Sequence, residues 1–374
     1  MSAQRRRVAV LFGGRSAEHE ISCISARSVI DALDPDRTEV IPIGITREGS
    51  WRLLLGPPAL PVESGRLPEI TAEDGAPVKL GGDSSSRELV GVDGSRRGID
   101  VVFPVLHGPQ GEDGAVQGML EIAGVPYVGA GVLGSAIGMD KAVQKVMFTD
   151  AGLPVVPWEV VREPEWREDP EGVAARAGGL GFPVFTKPAT LGSSVGIVKV
   201  HDPSELDAGL DEAFRYARKA VIEQGVVGVR EIECAVLGND DPVASVAGEI
   251  VPTGHEFYDY EAKYLDEHGA NLSIPAVVSS DLMERIQRMA VTAFRAIDCS
   301  GMARVDLFLK GEDELCVNEI NTIPGFTQIS MYPKLWEASG LSYRDLVERL
   351  LDLAIERHDA EQSKSTGVHE LGGA

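Results

Sequence analysis

The chain has 374 residues, enough for two or three domains, because single cores stop growing near ~250–300 residues. Its hydrophobic content of 43% and charged content of 25% are those of an ordinary globular protein. Lys and Arg number 35 against 58 Asp and Glu, and the net charge of −23 opposes electrostatic binding to nucleic acid or an anionic membrane. No segment approaches the ~20 apolar residues of a membrane span. Cys23, Cys234, Cys299 and Cys316 are scattered with no CxxC pair, which argues against a disulfide framework or a zinc site. The apolar run Val8 to Phe12 behind Arg5-Arg6-Arg7 is too short for a signal peptide, so the expected compartment is the cytoplasm.

Val8 to Phe12 reads as a first buried strand. Gly13-Gly14-Arg15-Ser16 then turns into a helix to about Leu33, the opening of a doubly wound α/β unit. Glu18 falls at the strand's carboxyl end, where such folds bind ligands, although a carboxylate there also suits a helix dipole. Val40 to Ile45 is a second strand. From about Gly49 to Gly98 the pattern weakens into short strands and a loop excursion, mobile near 81–97. Asp100 to Leu106 is a strong buried strand that runs into His107-Gly108-Pro109-Gln110-Gly111-Glu112-Asp113-Gly114. Glycines, acids and a histidine at a strand's end mark a ligand loop. A strand over 125–129 closes the first unit, and one helix is expected over Ser135 to Ala151, carrying Asp140-Lys141.

Phe182 to Pro188 and Val195 to Val200 read as two strands joined by a Gly/Ser loop. The stretch Gly192-Ser193-Ser194-Val195-Gly196 can aim backbone N–H groups at a phosphate, with Lys187 adding a point charge. It is not a P-loop, which runs from strand into helix. A plain hairpin tip with a snorkelling lysine would carry the same residues. Ser204 to Arg218 is an amphipathic helix. Strands at Ala220 to Glu223 and Arg230 to Leu237 flank a linker, with Glu223 and Glu231 at its two sides. Such a joint can hold an adenine through backbone groups and a ribose through a carboxylate, or can simply be polar at strand ends. His255 to Tyr264 fits neither period and reads as a lid loop.

After a helix over Asp281 to Ile297, Met302 to Leu309 and Val317 to Asn321 form a hairpin about Gly311-Glu312-Asp313-Glu314. A strand's period of two puts Arg304 and Asp306 on one face, and Glu319 and Asn321 likewise. Three oxygen donors beside a guanidinium suit a hard cation that holds phosphate oxygens. Tyr343 to Arg357 is a last helix, and 359–374 reads as a disordered tail.

Five of these stretches, in order, resemble the D-alanine–D-alanine ligase family of ATP-grasp enzymes. They are Gly13-Gly14-Arg15-Ser16-Ala17-Glu18-His19-Glu20-Ile21-Ser22, the His107–Gly114 loop, Met139-Asp140-Lys141, Tyr258-Asp259-Tyr260-Glu261-Ala262-Lys263-Tyr264 and Asn318-Glu319-Ile320-Asn321-Thr322-Ile323-Pro324-Gly325. The resemblance implies an α/β chain, α+β in its ATP-grasp part, with three domains. These are an N-terminal doubly wound parallel-sheet domain over 1–140, a central domain over 141–226, and a C-terminal domain over 227–358 with lid 255–270. It implies ATP-dependent joining of two D-alanines through an acyl phosphate, for peptidoglycan precursor synthesis, in a cytoplasmic homodimer.

By the same resemblance, Lys141, Lys187, Ser194, Glu223, Val226, Glu231, Lys263 and Asn318 bind ATP. Asp306, Glu319 and Asn321 hold two Mg²⁺, with Mn²⁺ as a substitute. Arg304 and the Gly325 N–H form the oxyanion hole, and Glu18, Ser193 and Tyr264 form a hydrogen-bonded set at the amines. His107 lies by the first substrate, with Ser330 and Met331 by the second carboxylate. Gln224 departs from the family's frequent Lys, which weakens a side-chain role there in holding adenine. A ligase joining D-alanine to D-lactate is the alternative, against which Tyr264 stands. A non-catalytic relative would have lost Arg304, Glu319, Asn321 or Lys187, and all four are present.

Overall fold

The computed structural model describes residues 5–58, 67–82, 84–192, 194–252 and 270–364. The expected α/β class is what the described residues form: three sheets flanked by helices. The first sheet has seven strands: β1 (Arg6–Gly13), β2 (Thr38–Ile45), β3 (Trp51–Leu53), β4 (Ala76–Leu80), β5 (Glu88–Gly91), β6 (Arg96–Gly98) and β7 (Val101–Pro104). Their order is β6-β5-β4-β3-β2-β1-β7. β1 lies parallel to both β2 and β7, and its fully buried run Val8 to Phe12 needs the cover on both faces that a parallel sheet receives. β3 to β6 extend this sheet antiparallel.

The second sheet has the order β10-β9-β11-β8, from β8 (Trp158–Arg162), β9 (Val184–Pro188), β10 (Val198–Val200) and β11 (Lys219–Gln224). The third has the order β14-β13-β12-β15-β16, from β12 (Val229–Gly238), β13 (Val243–Pro252), β14 (Ala270–Ser273), β15 (Gly301–Lys310) and β16 (Glu314–Asn321). No helix of the described residues is long and apolar enough to cross a membrane.

Several expectations need correction. The stretch near 81–97 holds strands β5 and β6, whose Leu89 is buried. In place of a strand over 125–129 there is one parallel bridge, Val102 to Tyr127. The helix expected over Ser135 to Ala151 is two, Val132–Met139 and Lys141–Asp150. Asp140 breaks it: extended at φ −96° and ψ 99°, it accepts from the N–H groups of Ala142 and Val143 and so caps the second helix. The last helix, Tyr343–Gln362, continues through four residues assigned to the tail. Residues 253–269, which hold nearly all of the expected lid, lie outside the described residues.

One core joins the first and third sheets. Val8, Val10, Phe12 and Phe103 pack with Met302, Leu346, Val347 and Leu350 in a single buried cluster. Within it Phe326 packs edge-on or tilted against three rings with centroids 5.6–5.8 Å away: Phe103 of β7, Tyr332 of the helix Met331–Ala338, and Tyr343 of the last helix. Tyr343 Oη also donates to the Phe326 carbonyl at 2.7 Å. This knot fixes the chain just after Gly325. Phe326→Ala should destabilise the protein by about 3–5 kcal/mol. Urea unfolding checks this, and a loss near ~1 kcal/mol would mean that the knot relaxes around the gap.

Candidate functional site

The hairpin β15–β16 carries the expected face. Arg304 pairs across with Asn321, and Asp306 with Glu319. The register then shifts by one, so that Leu307 faces Val317 and Asn318 is the extra residue of a bulge. Toward the turn, Leu315 and Val317 point to the core; beyond the bulge Ile320 does, and Glu319 and Asn321 turn to the other face. On that face Arg304 chelates Asp306, Nε to Oδ1 at 2.7 Å and Nη2 to Oδ2 at 2.8 Å. Asn321 Nδ2 donates to Asp306 Oδ2 at 3.0 Å. β12 places Glu233 opposite Asp306, with its carboxylate 3.1 Å from Arg304 Nε. Burial opposes the Arg304 charge, but Asp306 and Glu233 hold the guanidinium well above its usual range.

A second group of charges adjoins the first. Lys141 follows the Asp140 cap, and its Nζ lies 3.0 Å from Glu319 Oε2. The same Nζ donates to the Leu191 carbonyl at 2.9 Å, while its backbone N–H donates to Ala189. One lysine therefore links the Gly/Ser loop to the hairpin. Burial works against its charge, yet Glu319 holds the ammonium above its usual range. On β9 and β11, Lys187 Nζ meets Glu223 Oε2 at 2.6 Å, and Lys145 Nζ lies 3.2 Å from Glu223 Oε1. Glu223 is buried, which raises a carboxyl's pKa, but two lysines reverse that and bring it from 4.5 to about 2. Burial pulls the Lys145 ammonium below its usual range although Glu223 opposes this.

The first-sheet loops form the third part. Gly13 has φ +86°, and a Cβ there would strike the Ile45 carbonyl, so the turn after β1 requires glycine. Glu18 stands at the N-cap of the helix His19–Ala32 and is 8% exposed. A Cβ on Gly108 would lie 3.3 Å from Glu18 Oε2, and one on Gly192 3.7 Å from it. The histidine loop and the Gly/Ser loop thus both close on Glu18. His107 is buried, with Nδ1 3.2 Å from the Ile323 carbonyl and 3.6 Å from Glu112 Oε1, and Nε2 3.4 Å from Ser25 Oγ. Burial opposes its protonation, but Glu112 and Glu18 raise its pKa. An apolar cavity of about 280 Å³, lined by Trp51, Leu106 and Met119, lies along these loops.

Other expected residues are placed as follows. Ser330 stands at the N-cap position of the helix Met331–Ala338 without a side-chain capping bond, and its Oγ accepts instead from the Thr327 N–H at 3.1 Å. A Cβ on Gly325 would approach that Oγ to 3.1 Å. The Met331 side chain is buried in the core, so only its backbone N–H faces a ligand role. Val226 is half-buried in the β11–β12 linker, and Glu231 is half-buried opposite Phe308. Ser194 has φ +59°, the left-handed conformation of a tight loop. Gln224 Nε2 donates to the Leu180 carbonyl at 2.6 Å, so its side chain is engaged away from the linker. Ser193, Lys263 and Tyr264 lie outside the described residues. Sequence reasoning missed Glu233 and Lys145. Period two from Glu231 marks Glu233, and a helical i+4 step from Lys141 marks Lys145.

Among the described residues no three His, Cys, Asp or Glu side chains gather as a metal site. The donors are instead two carboxylates and a carboxamide, each carboxylate held by a cation. That set has the oxygen chemistry that suits a hard cation.

Family models for the D-ala D-ala ligase N-terminus and C-terminus match residues 7–130 and 147–352. The chain belongs to the D-alanine–D-alanine ligase family. D-alanine–D-alanine ligases of Paenarthrobacter aurescens and Thermoanaerobacter pseudethanolicus are 50% and 49% identical to it. These alignments cover 94% and 95% of this chain, and 96% and 98% of the relatives. The solved D-alanine–D-alanine ligase of Coxiella burnetii superposes with a TM-score of 0.83 at 38% identity, over 96% of this chain and 97% of that one. The two family spans leave 131–146 between them, the stretch with the Asp140 break, Lys141 and Lys145.

Because its pKa is depressed in the fold, Glu223 stabilises the protein above the ordinary carboxylate range and loses that effect as pH falls toward 2. The stability gap between the wild type and Glu223→Gln should shrink by about 2 kcal/mol from pH 6 to pH 3. Urea unfolding of both proteins at each pH measures it, and a constant gap would show that Glu223 is not held ionised by the two lysines.

Proposed function

We propose that this chain joins two D-alanines into D-alanyl-D-alanine with consumption of ATP, as a ligase of peptidoglycan precursor synthesis. The observation that carries the reading is the single face of Arg304, Asp306, Glu319 and Asn321, tied through Lys141 to the Gly/Ser loop. It supports a nucleotide lying between a central domain, 141–226, and a C-terminal one, 227–358, with the first substrate bound by the N-terminal domain, 1–140. Lys141, Lys187 and the Ser194 loop hold phosphates, while Glu223, Val226, Glu231 and Asn318 enclose the adenine and ribose. Lys263 completes the γ-phosphate side.

The first D-alanine offers its carboxylate to the γ-phosphoryl group, and ADP leaves. Its ammonium sits at Glu18, beside His107. The second amine attacks the acyl phosphate carbon. The C–N bond forms, the amine loses a proton, and the C–O bond to phosphate breaks. Arg304 and the Gly325 N–H stabilise the tetrahedral oxyanion. The set of Glu18, Ser193 and Tyr264 orients the second amine, and Ser330 with the Met331 N–H takes its carboxylate. Asp306, Glu319 and Asn321 would hold two Mg²⁺, or Mn²⁺, which would supply positive charge against the phosphoryl oxygens. The reading includes a homodimer in the cytoplasm.

Phosphate release from Mg-ATP should require D-alanine, ignore L-alanine, and accompany formation of the D,D-dipeptide. Release that does not depend on D-alanine would overturn the reading. Arg304→Lys should lower kcat about 10²–10³-fold, because lysine's point charge cannot give the two parallel N–H bonds with which a guanidinium fork meets an oxyanion.

A further inference from the structure

β16 is the edge strand of its sheet. Its backbone groups on the outer side therefore need partners other than a strand. Three are met from outside the sheet. The Val317 N–H donates to the Pro154 carbonyl at 2.8 Å. The Ile320 N–H donates to Gln144 Oε1 at 3.1 Å, and Gln144 Nε2 returns a bond to the Ile320 carbonyl at 3.3 Å. The same Nε2 also donates to the Gly138 carbonyl. Gln144 is 1% exposed on the helix Lys141–Asp150, and its carboxamide acts as one more residue of strand.

The spacing of these outer contacts carries the argument. In a regular strand the outward groups recur every two residues, so Val317 would be followed by Glu319. Here the next outward group is three residues on, at Ile320, because Asn318 is the extra residue of the bulge. Backbone direction and side-chain direction share the period of two. A partner that accepts the Ile320 N–H thus matches the register in which Glu319 and Asn321 face Asp306. It does not match the slipped register, in which they would turn to the core.

We propose that Gln144 is a positioning residue for the metal edge of the site: its carboxamide, bonded to both backbone groups of Ile320, locks the bulged phase of β16 that turns Glu319 and Asn321 toward Asp306. This rests on the assignment of Glu319 and Asn321 as metal ligands. Gln144 touches no reacting group and acts only through the strand.

The test uses the full chain with a non-hydrolysable ATP analogue and Mn²⁺, reading free Mn²⁺ by its paramagnetic resonance signal. Hydrogen exchange of the 315–321 segment is followed in the unliganded protein. Gln144→Leu should weaken Mn²⁺ binding about 10-fold and speed exchange at the Ile320 amide. Should that variant fail to fold, the isosteric Gln144→Glu keeps the acceptor and loses the donor, and it should weaken binding less. Glu319→Gln is the control. Wild-type Mn²⁺ affinity in the Gln144 variants, with weakened binding in Glu319→Gln, would overturn the role of Gln144 alone. Unchanged binding in Glu319→Gln would overturn the metal assignment and the inference with it.

Discussion

One extra residue in one edge strand determines which side chains meet across the β15–β16 hairpin. The bulge at Asn318 reverses the phase of β16, so that Glu319 and Asn321 stand across from Asp306 and Arg304 instead of facing the core. A strand slipped by one residue would bury a carboxylate against Ala303 and Val305, at a cost of several kcal/mol unless it were neutralised. The apolar pattern thereby enforces the polar one. Leu315, Val317 and Ile320 find the core only in the bulged register.

Around that strand the charges are matched one by one. Arg304 answers Asp306 and Glu233, Lys141 answers Glu319, and Lys187 with Lys145 answers Glu223. Buried ions are tolerated only when paired, so each pair is also a constraint on geometry. The pairs couple elements distant in sequence: a capped helix start, a Gly/Ser loop, a central strand and the hairpin. The contact of His107 with the Ile323 carbonyl and the knot at Phe326 bring the first-sheet loops to the hairpin's exit, where Gly325 lies. On the proposed reading, an incoming nucleotide would exchange partners within this lattice of charge.

Much of this was legible from residue order. Period two put Glu319 with Asn321 and Arg304 with Asp306, and fully apolar runs marked β1 and β7. The bulge itself was not legible, because Glu319 and Asn321 share a face whether or not Asn318 is extra. Nor was the helix break at Asp140: an aspartate between Met139 and Lys141 suits a helix surface as well as a cap, and only the Lys219 pairing and the extended backbone decide it. Strands β5 and β6 are short and glycine-bounded, so the pairing of β5 with β4 and of β6 with β5 is a tertiary matter that local propensity does not encode. The burial of Lys145 depends on Glu223 arriving from a strand far along the chain, which residue order near 145 does not encode.

The central claim is that the bulged hairpin holds the cations that meet the nucleotide's phosphates. The most direct measurement is the anomalous scattering of Mn²⁺ in crystals grown with a non-hydrolysable ATP analogue. The account predicts manganese peaks within coordinating distance of Asp306, Glu319 and Asn321, with Arg304 released from Asp306. Manganese bound away from Glu319 and Asn321, or a β16 without its bulge at Asn318, would contradict it.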